Sequence, residues 1–429
     1  MTSEQLQSSP QAAWATHAAL PAIVAGYPLL EVLRTCRTQA MATGPGYGRV
    51  PFNAIAHSAR PWTHEDRDFN TPTNDLLYSN AWADLRKGPV ILDIPAWNRY
   101  FVVECLDAWT NNFLNIGTRN VPREGGRFAL LAPGTPDSDA PEGTQPVRCP
   151  TPLVWLLGRV IVEGESDLEA ARAVQAGITL SGPAVQTPLP SLLYWQDTED
   201  AAIDFFANLA RALNDFVPPA EQRAPFELLT AAHIRLPSDG SLGHLRTATV
   251  EGLRAAYATA MAIIEGHTRS PSKAPWRFST RLGQFGKDYM LRAATAWKGI
   301  AALAADEAIY ATADFDQDGD PLDGRNRYRI RFADGGALPA DEFWSISLYG
   351  DDRFFAANPL QRHALGSRSG MVKDADGSLT IHVSHHRPDA PQSNWLPAPE
   401  APFYLILRLY QPQQRLLDGY QFPQVERIG

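Results

Sequence analysis

DEFWSISLYG at residues 341–350, FFAANPLQRHALGSRSG at 354–370 and GSLTIHVSHHRPDAPQSNWLPAPEAPFYLILRLYQP at 377–412 decide how this chain folds. Trp344, Ile346 and Leu348 alternate with Ser345, Ser347 and Tyr349, and Leu379, Ile381 and Val383 alternate with Thr380, His382 and Ser384. Period-two alternation broken by Asn-Pro, Asp-Gly and Pro-rich turns predicts short antiparallel strands with one wet face, closed into a β-sandwich of jelly-roll size. FYLILRLY at 403–410 is apolar except for Arg408. It predicts a central strand whose guanidinium must be paired if it is buried.

Upstream, PVILDIP, RYFVVECLDAW, RFALLAPG and TPLVWLLGRVIVEG are spaced by turn residues and predict a second sandwich within 52–162. Between the two, three apolar stripes recur at helical spacing. The first joins Ile203, Phe206, Leu209, Leu213 and Phe216, with Asp197 or Thr198 as cap and Pro218-Pro219 as stop. The second joins Val250, Leu253, Tyr257, Met261 and Ile264 and stops at Gly266; the third starts near Asp288 and joins Met290, Ala294, Trp297, Ile300 and Leu303. Such stripes are core faces and not cofactor boxes. Residues 10–42, with Ile23, Tyr27, Leu30 and Leu33, predict an entry helix laid on the first sandwich, started or kinked at Pro28.

Two groups of motifs carry a family resemblance. TPTNDLLYSNAWADL, RYFVVECLDAWTNNFLNIGTR and LGRVIVEGESDLEAA, then FWSISLYG, ANPLQRHALGSR, NWLPAP and PFYLILRLYQP, resemble a two-part bacterial family made of domains of unknown function 1254 and 1214 in tandem. Its first motif usually runs TPNxDTLYS, and Thr73 and Leu76 depart from it; His363 stands where relatives usually have Tyr. The resemblance implies architecture. The expected fold is α+β and multi-domain: an entry helix (1–45), an immunoglobulin-like β-sandwich (46–185), an all-helical insert (186–310) and a carboxyl-terminal jelly-roll β-sandwich (311–429).

A chain of 429 residues exceeds one ordinary core and suits two or three domains. Its net charge of −9, with Lys and Arg scattered, argues against nucleic acid as a partner. No unbroken apolar run of about 18 residues argues for membrane insertion. The start lacks a basic leader, so the chain reads as cytoplasmic, or as periplasmic if a leader was removed. Cys36, Cys105 and Cys149 lack CxxC spacing and read as buried small hydrophobes. GPGYGRV at 44–50 reads as a plain loop. Two sandwiches expose edge strands, so a homo-oligomer is expected, with a small molecule as the other partner.

No GxSxG, HExxH or GxxxxGK[ST] motif is present. Asp314, Asp316, Asp318 and Gly319 open like a calcium loop, but Arg325 stands where a bidentate Glu is required. The segment reads as a hairpin turn, with bound calcium as the alternative; a divalent metal such as calcium is the one cofactor left open. His382, His385 and His386 resemble a ligand cluster, yet on an extended strand His382 and His386 face one side and His385 the other.

The polar residues inside otherwise apolar strands matter more. Asn74, Asp75 and Tyr78 lie in the first motif, Asp107 and Asn111 follow a strand, and Arg159 and Arg408 interrupt strands. One reading pairs the two arginines with Asp75, Asp107 or Asp93 as structural bridges. The other lines a cleft between the sandwiches, with Asn358, His363, Arg368, Asn394 and Trp395 from the second. In that cleft Asp75, Tyr78, Asp107, Arg159 and His363 would carry acid–base chemistry. Asn74, Asn111, Asn358, Arg368, Asn394, Trp395 and Arg408 would bind substrate. The expected function is a small-molecule enzyme of hydrolase or lyase type. The alternative is a non-catalytic binder of a carbohydrate or amphipathic metabolite.

Overall fold

A computed structural model describes residues 9–41, 49–67, 70–268 and 276–428. Most of the Gly-rich 44–50 loop lies outside them. The architecture is α+β, with two double-sheet units and a helical layer. Helix α1 (Pro10–Cys36) begins with Pro10 in its first turn, where no N–H is needed, and Ser9 Oγ accepts the Ala12 N–H at 3.2 Å. Both Pro21 and Pro28 lie inside this helix, and a π-helical turn (Arg37–Met41) follows it.

The first double sheet contains β1 (Ile55–His57), β2 (Leu76–Asp84), β3 (Val90–Ile94), β4 (Phe101–Leu106), β5 (Asn112–Gly117), β6 (Gly126–Leu131), β7 (Gln145–Arg148), β8 (Leu153–Ile161), helix α2 (Leu168–Gly177) and β9 (Thr179–Ser181). One sheet runs β1-β2-β8-β4-β5 and the other β7-β6-β3-β9. The helical layer follows: α3 (Pro190–Leu193), α4 (Ala201–Asp215), α5 (Ala224–Ala231), α6 (Thr247–Thr268) and α7 (Tyr289–Gly299). The second double sheet contains β10 (Ala308–Ala313), β11 (Tyr328–Phe332), β12 (Trp344–Gly350), β13 (Ala364–Gly366), β14 (Leu379–Ser384), β15 (Trp395–Pro397), β16 (Phe403–Tyr410), the short α8 (Gln414–Leu417) and β17 (Glu426–Arg427). Its sheets run β10-β16-β12-β13 and β15-β14-β11-β17.

Alternation assigns each strand two faces; on β2, β4, β8 and β16 both are buried, whereas β11 and β7 keep an exposed face. Leu77, Ala81 and Ala83 of β2 point into the first sandwich core, whereas Tyr78 and Trp82 point out of it toward the helices. Phe403, Leu405, Leu407 and Leu409 of β16 fill the second core, leaving Tyr404, Ile406, Arg408 and Tyr410 on the outer face. The outer faces of these two sheets meet in a seam. Leu76, Tyr100, Val102 and Ile161 there pack on Leu303, Ala308, Phe343 and Tyr410. Each fully buried aromatic contributes about 1.5–3 kcal/mol, so the seam binds the halves firmly.

Several local expectations need correction. Helix α1 packs chiefly on α6, with α7 and α5 beside it, and so is the central helix of the helical layer. By length and composition the segment Pro10–Met41 would suffice to cross a membrane, although polar residues interrupt its apolar run; here most of its apolar stretch is buried in that layer. Asp200 caps α4, its Oδ1 accepting the Ile203 N–H at 3.2 Å, while Thr198 bonds to Asp204. Asp288 caps α7 as expected. β10 and β11 are not a hairpin: β10 pairs with β16 and β11 with β14, so residues 314–324 cross between sheets. Cys36, Cys105 and Cys149 are buried and free.

Candidate functional site

Arg408 sits on β16 between Tyr310 of β10 and Ser345 of β12, with 3% of its surface exposed. Arg159 sits on β8, opposite Tyr78 of β2 on one side and Val102 of β4 on the other. Both side chains leave their own sandwich and enter the seam, so sheet parity alone carries them to one place. Beside them is a cavity of about 250 Å³. Tyr78, Arg159, Tyr310, Ile406, Arg408 and Tyr410 line its floor; Leu291, Ala294, Thr295 and Lys298 of α7 form a wall; Arg277, Phe278 and Leu282 stand at the side. Helix α7 comes close because it ends in Gly299, where a Cβ would stand 2.5 Å from Thr71 Oγ1.

The two guanidinia are held alike. Arg159 Nη2 donates to the Ala301 carbonyl at 3.0 Å, and Arg408 Nη2 donates to the Thr71 carbonyl at 2.7 Å. Ala301 and Thr71 are non-glycine residues with φ of 62° and 50°. Such backbone is disfavoured for side-chain-bearing residues, most of all for β-branched Thr, and tends to gather at functional sites.

Their counter-charges differ. Arg159 Nη1 donates to Glu104 Oε2 at 2.7 Å, a pair buried on both sides. Burial pushes the Glu104 carboxyl up to about 7 against the downward pull of Arg159, and its Oε1 has no hydrogen-bond partner. Arg408 has no carboxylate within ion-pair distance among the described residues; besides Thr71 it bonds Ser347 Oγ at 3.1 Å. At the side of the cavity, Arg277 and Lys298 share Asp314 at 2.6 and 2.7 Å. Burial raises the Tyr310 phenol to about 12, so at neutral pH it is a hydrogen-bond donor and not a base.

Of the residues singled out from sequence, Tyr78, Arg159 and Arg408 meet at the cavity. Asp75 lies at the seam beside it, its Oδ2 accepting from Thr73 Oγ1 at 2.8 Å and from Ser345 Oγ at 2.6 Å across the interface. The bridges expected from Asp75, Asp107 or Asp93 to the arginines do not form; Asp93 pairs with Arg127 and Glu104 takes Arg159. Asn74 bonds the Trp62 carbonyl.

The others lie elsewhere. Asp107 braces its own loop, accepting from Trp109 and Asn111, and Asn111 also receives Arg292. His363 is buried with its ring stacked on Phe355 at 4.9 Å and tilted against that of His64 at 5.6 Å; burial pushes its imidazole down to about 4. Asn358 closes a loop through the Arg362 carbonyl at 2.9 Å, and Asn394 ties Val372 to Thr380. Arg368 pairs with Glu163 near the surface. Trp395 is buried on edge strand β15, its indole N–H bonded to the Ser384 carbonyl at 3.0 Å, and forms no cleft wall.

The weak metal candidates do not converge. Asp314 serves Arg277 and Lys298, and Asp316 faces Arg427 and accepts the Asp318 and Asp320 N–H groups. His382 lies opposite Arg329, while His385 bonds the Ala398 carbonyl and abuts His386. Among the described residues no three His, Cys, Asp or Glu side chains form a ligand set.

A model of the family described as "Protein of unknown function (DUF1254)" matches residues 52–182, and one described as "Protein of unknown function (DUF1214)" matches residues 307–414. The chain belongs to the family that joins these two domains in tandem. The seam is where the tandem domains meet, and the cavity adds the helices between them. The VPA0106 protein from Vibrio parahaemolyticus has a similar solved structure, with 23% identity, a TM-score of 0.68, and coverage of 97% of this chain and 100% of that one. That likeness shows the fold. A putative uncharacterized protein from Burkholderia cenocepacia is also similar, at 12% identity and TM-score 0.49, over 93% of this chain and 87% of that one. A search of curated proteins found no match.

Proposed function

We propose that this protein binds a small amphipathic metabolite in the cavity between its two sandwiches. The observation that carries this reading is the cavity itself: about 250 Å³, walled by Ile406, Ala294 and Leu291, with guanidinium and phenol groups collected on one side. An apolar hollow with a few converging polar groups is the usual form of a small-molecule site, and this one lies just below the usual span of roughly 300–1,000 Å³. The lining phenols and guanidinia are suited to recognition more than to proton abstraction.

One observation favours acid–base catalysis of hydrolase or lyase type as a second reading. Glu104, held near neutrality at about 7, stands directly behind Arg159, and carboxyls so perturbed are common in active sites. We also read the amino-terminal sheets as immunoglobulin-like and the carboxyl-terminal sheets as a jelly roll, on the support of their short alternating strands around separate cores.

The test is a metabolite pull-down from a small-molecule extract, comparing wild type with Thr295→Trp, which fills the cavity from α7. Compounds retained by wild type and lost by the folded variant are expected. Identical retention profiles would contradict the reading.

A further inference from the structure

Charge at the seam points to the class of ligand. Of the two guanidinia on the floor, Arg159 is answered by Glu104 behind it, whereas among the described residues Arg408 is answered by the Thr71 carbonyl and the Ser347 and Tyr349 hydroxyls; Asp75 stands at the seam but bonds Thr73 and Ser345 and makes no ion pair with Arg408. The groups facing Arg408 from neighbouring strands are Tyr310 and Tyr349, each with its ring centre 5.7 Å from the guanidinium carbon. These rings, and the Tyr349 hydroxyl bonded to the guanidinium, soften the charge without cancelling it. An uncompensated buried cation is strongly unfavourable, whereas a paired one is tolerated. Arg277 and Lys298 at the side both pair with Asp314 and keep contact with solvent, which screens them.

We infer that the cavity takes an organic monoanion, a carboxylate on an apolar body, whose charge pairs with Arg408. The inference rests on the cavity being a ligand site. A guanidinium presents a planar fork of five N–H donors and matches a carboxylate in two parallel bonds. Arg408 spends donors on Thr71, Ser347 and Tyr349, which leaves others of its five for the cavity. The apolar body then lies along Ile406, Ala294 and Leu291. Acid and amide of one shape differ chiefly in that charge, so they isolate it.

The experiment is calorimetric titration of the full chain with two such pairs: phenylacetate against phenylacetamide, and hexanoate against hexanamide. In wild type the acids are expected to bind at least tenfold more tightly than their amides. In Arg408→Gln and Arg408→Met that preference disappears, while amide affinity stays within about threefold. Two variants are used so that misfolding of one leaves the other informative, and the wild-type comparison needs neither. Equal binding of acid and amide, or an acid preference that survives in a variant, overturns the inference. If no pair member binds while the pull-down still retains Thr295-sensitive compounds, the anion inference falls and the cavity reading stands. If neither experiment detects binding, both fall.

Discussion

Arg159 and Arg408 occupy matching positions on the two sides of the seam, each bonded to the carbonyl of a residue with left-handed backbone, Ala301 and Thr71. They differ in one respect. Glu104 stands 2.7 Å from Arg159, and no described carboxylate stands that near Arg408. The fold thus gives one of its two cavity-lining guanidinia a carboxylate and holds the other by neutral oxygens.

Glu104 should give the protein a pH-dependent stability. Its folded value of about 7 exceeds the ordinary 4.5, so the folded state keeps a proton that the unfolded chain has lost between those values. The stabilisation is full below about 4.5 and disappears as pH rises through about 7. At about 1.4 kcal/mol per unit, the limit is roughly 3 kcal/mol. Urea unfolding of wild type and Glu104→Gln between pH 5 and 8 checks this: wild type should lose stability relative to the variant as pH rises. Parallel curves would contradict it.

Arg159→Leu should destabilise the fold by about 3 kcal/mol, because it strands a buried carboxyl and frees the Ala301 carbonyl. Adding Glu104→Leu should recover at least half of the loss. The check is a double-mutant cycle by denaturant unfolding, and simple additivity of the two single effects would count against a coupled pair.

His363 works in the opposite direction. Its folded value of about 4 lies below the ordinary 6.5, so acid protonates the unfolded chain first and stability falls as pH drops from 6.5 toward 4. His64 and Asp66 face it and are retained in the test. Replacing it in His363→Phe, which preserves the stack on Phe355, should flatten the acid limb of the melting-temperature profile. An unchanged limb would assign acid sensitivity to other groups.

Trp395→Ala should cost about 3–5 kcal/mol of stability, as expected for emptying a buried aromatic site, without selectively weakening binding in the cavity. Comparing its unfolding midpoint with its metabolite retention separates the two effects. A folded variant of near-native stability that loses the ligand would restore Trp395 as a binding wall.

How far the sequence discloses the site depends on what register hides. Arg408 in FYLILRLY and Arg159 in WLLGRVIV are legible because a charge in a strand buried on both faces must reach a polar place. Glu104 carries the same signal, one acid within RYFVVECLD, but was not singled out. Val102, two residues before it and so on the same face, lies opposite Arg159 in the register, and only pairing reveals that. Lys298 comes from α7 and Arg277 from the connection between α6 and α7, where periodicity locates a core face but no neighbour. Residues 314–324 misled because an Asp-Gly turn looks the same within a hairpin and between sheets; Gly319 does adopt a φ of 86°. Trp395 misled because a loop-like sequence, NWLPAP, forms an edge strand paired in parallel with β14.

The central claim is that the seam between the sandwiches is a ligand site, and a crystal structure grown with phenylacetate tests it most directly. The account predicts the carboxylate within hydrogen-bond distance of the Arg408 guanidinium, with the ring among Ile406, Ala294 and Leu291. Phenylacetate bound elsewhere, with the seam cavity closed or empty at saturating concentration, would contradict it.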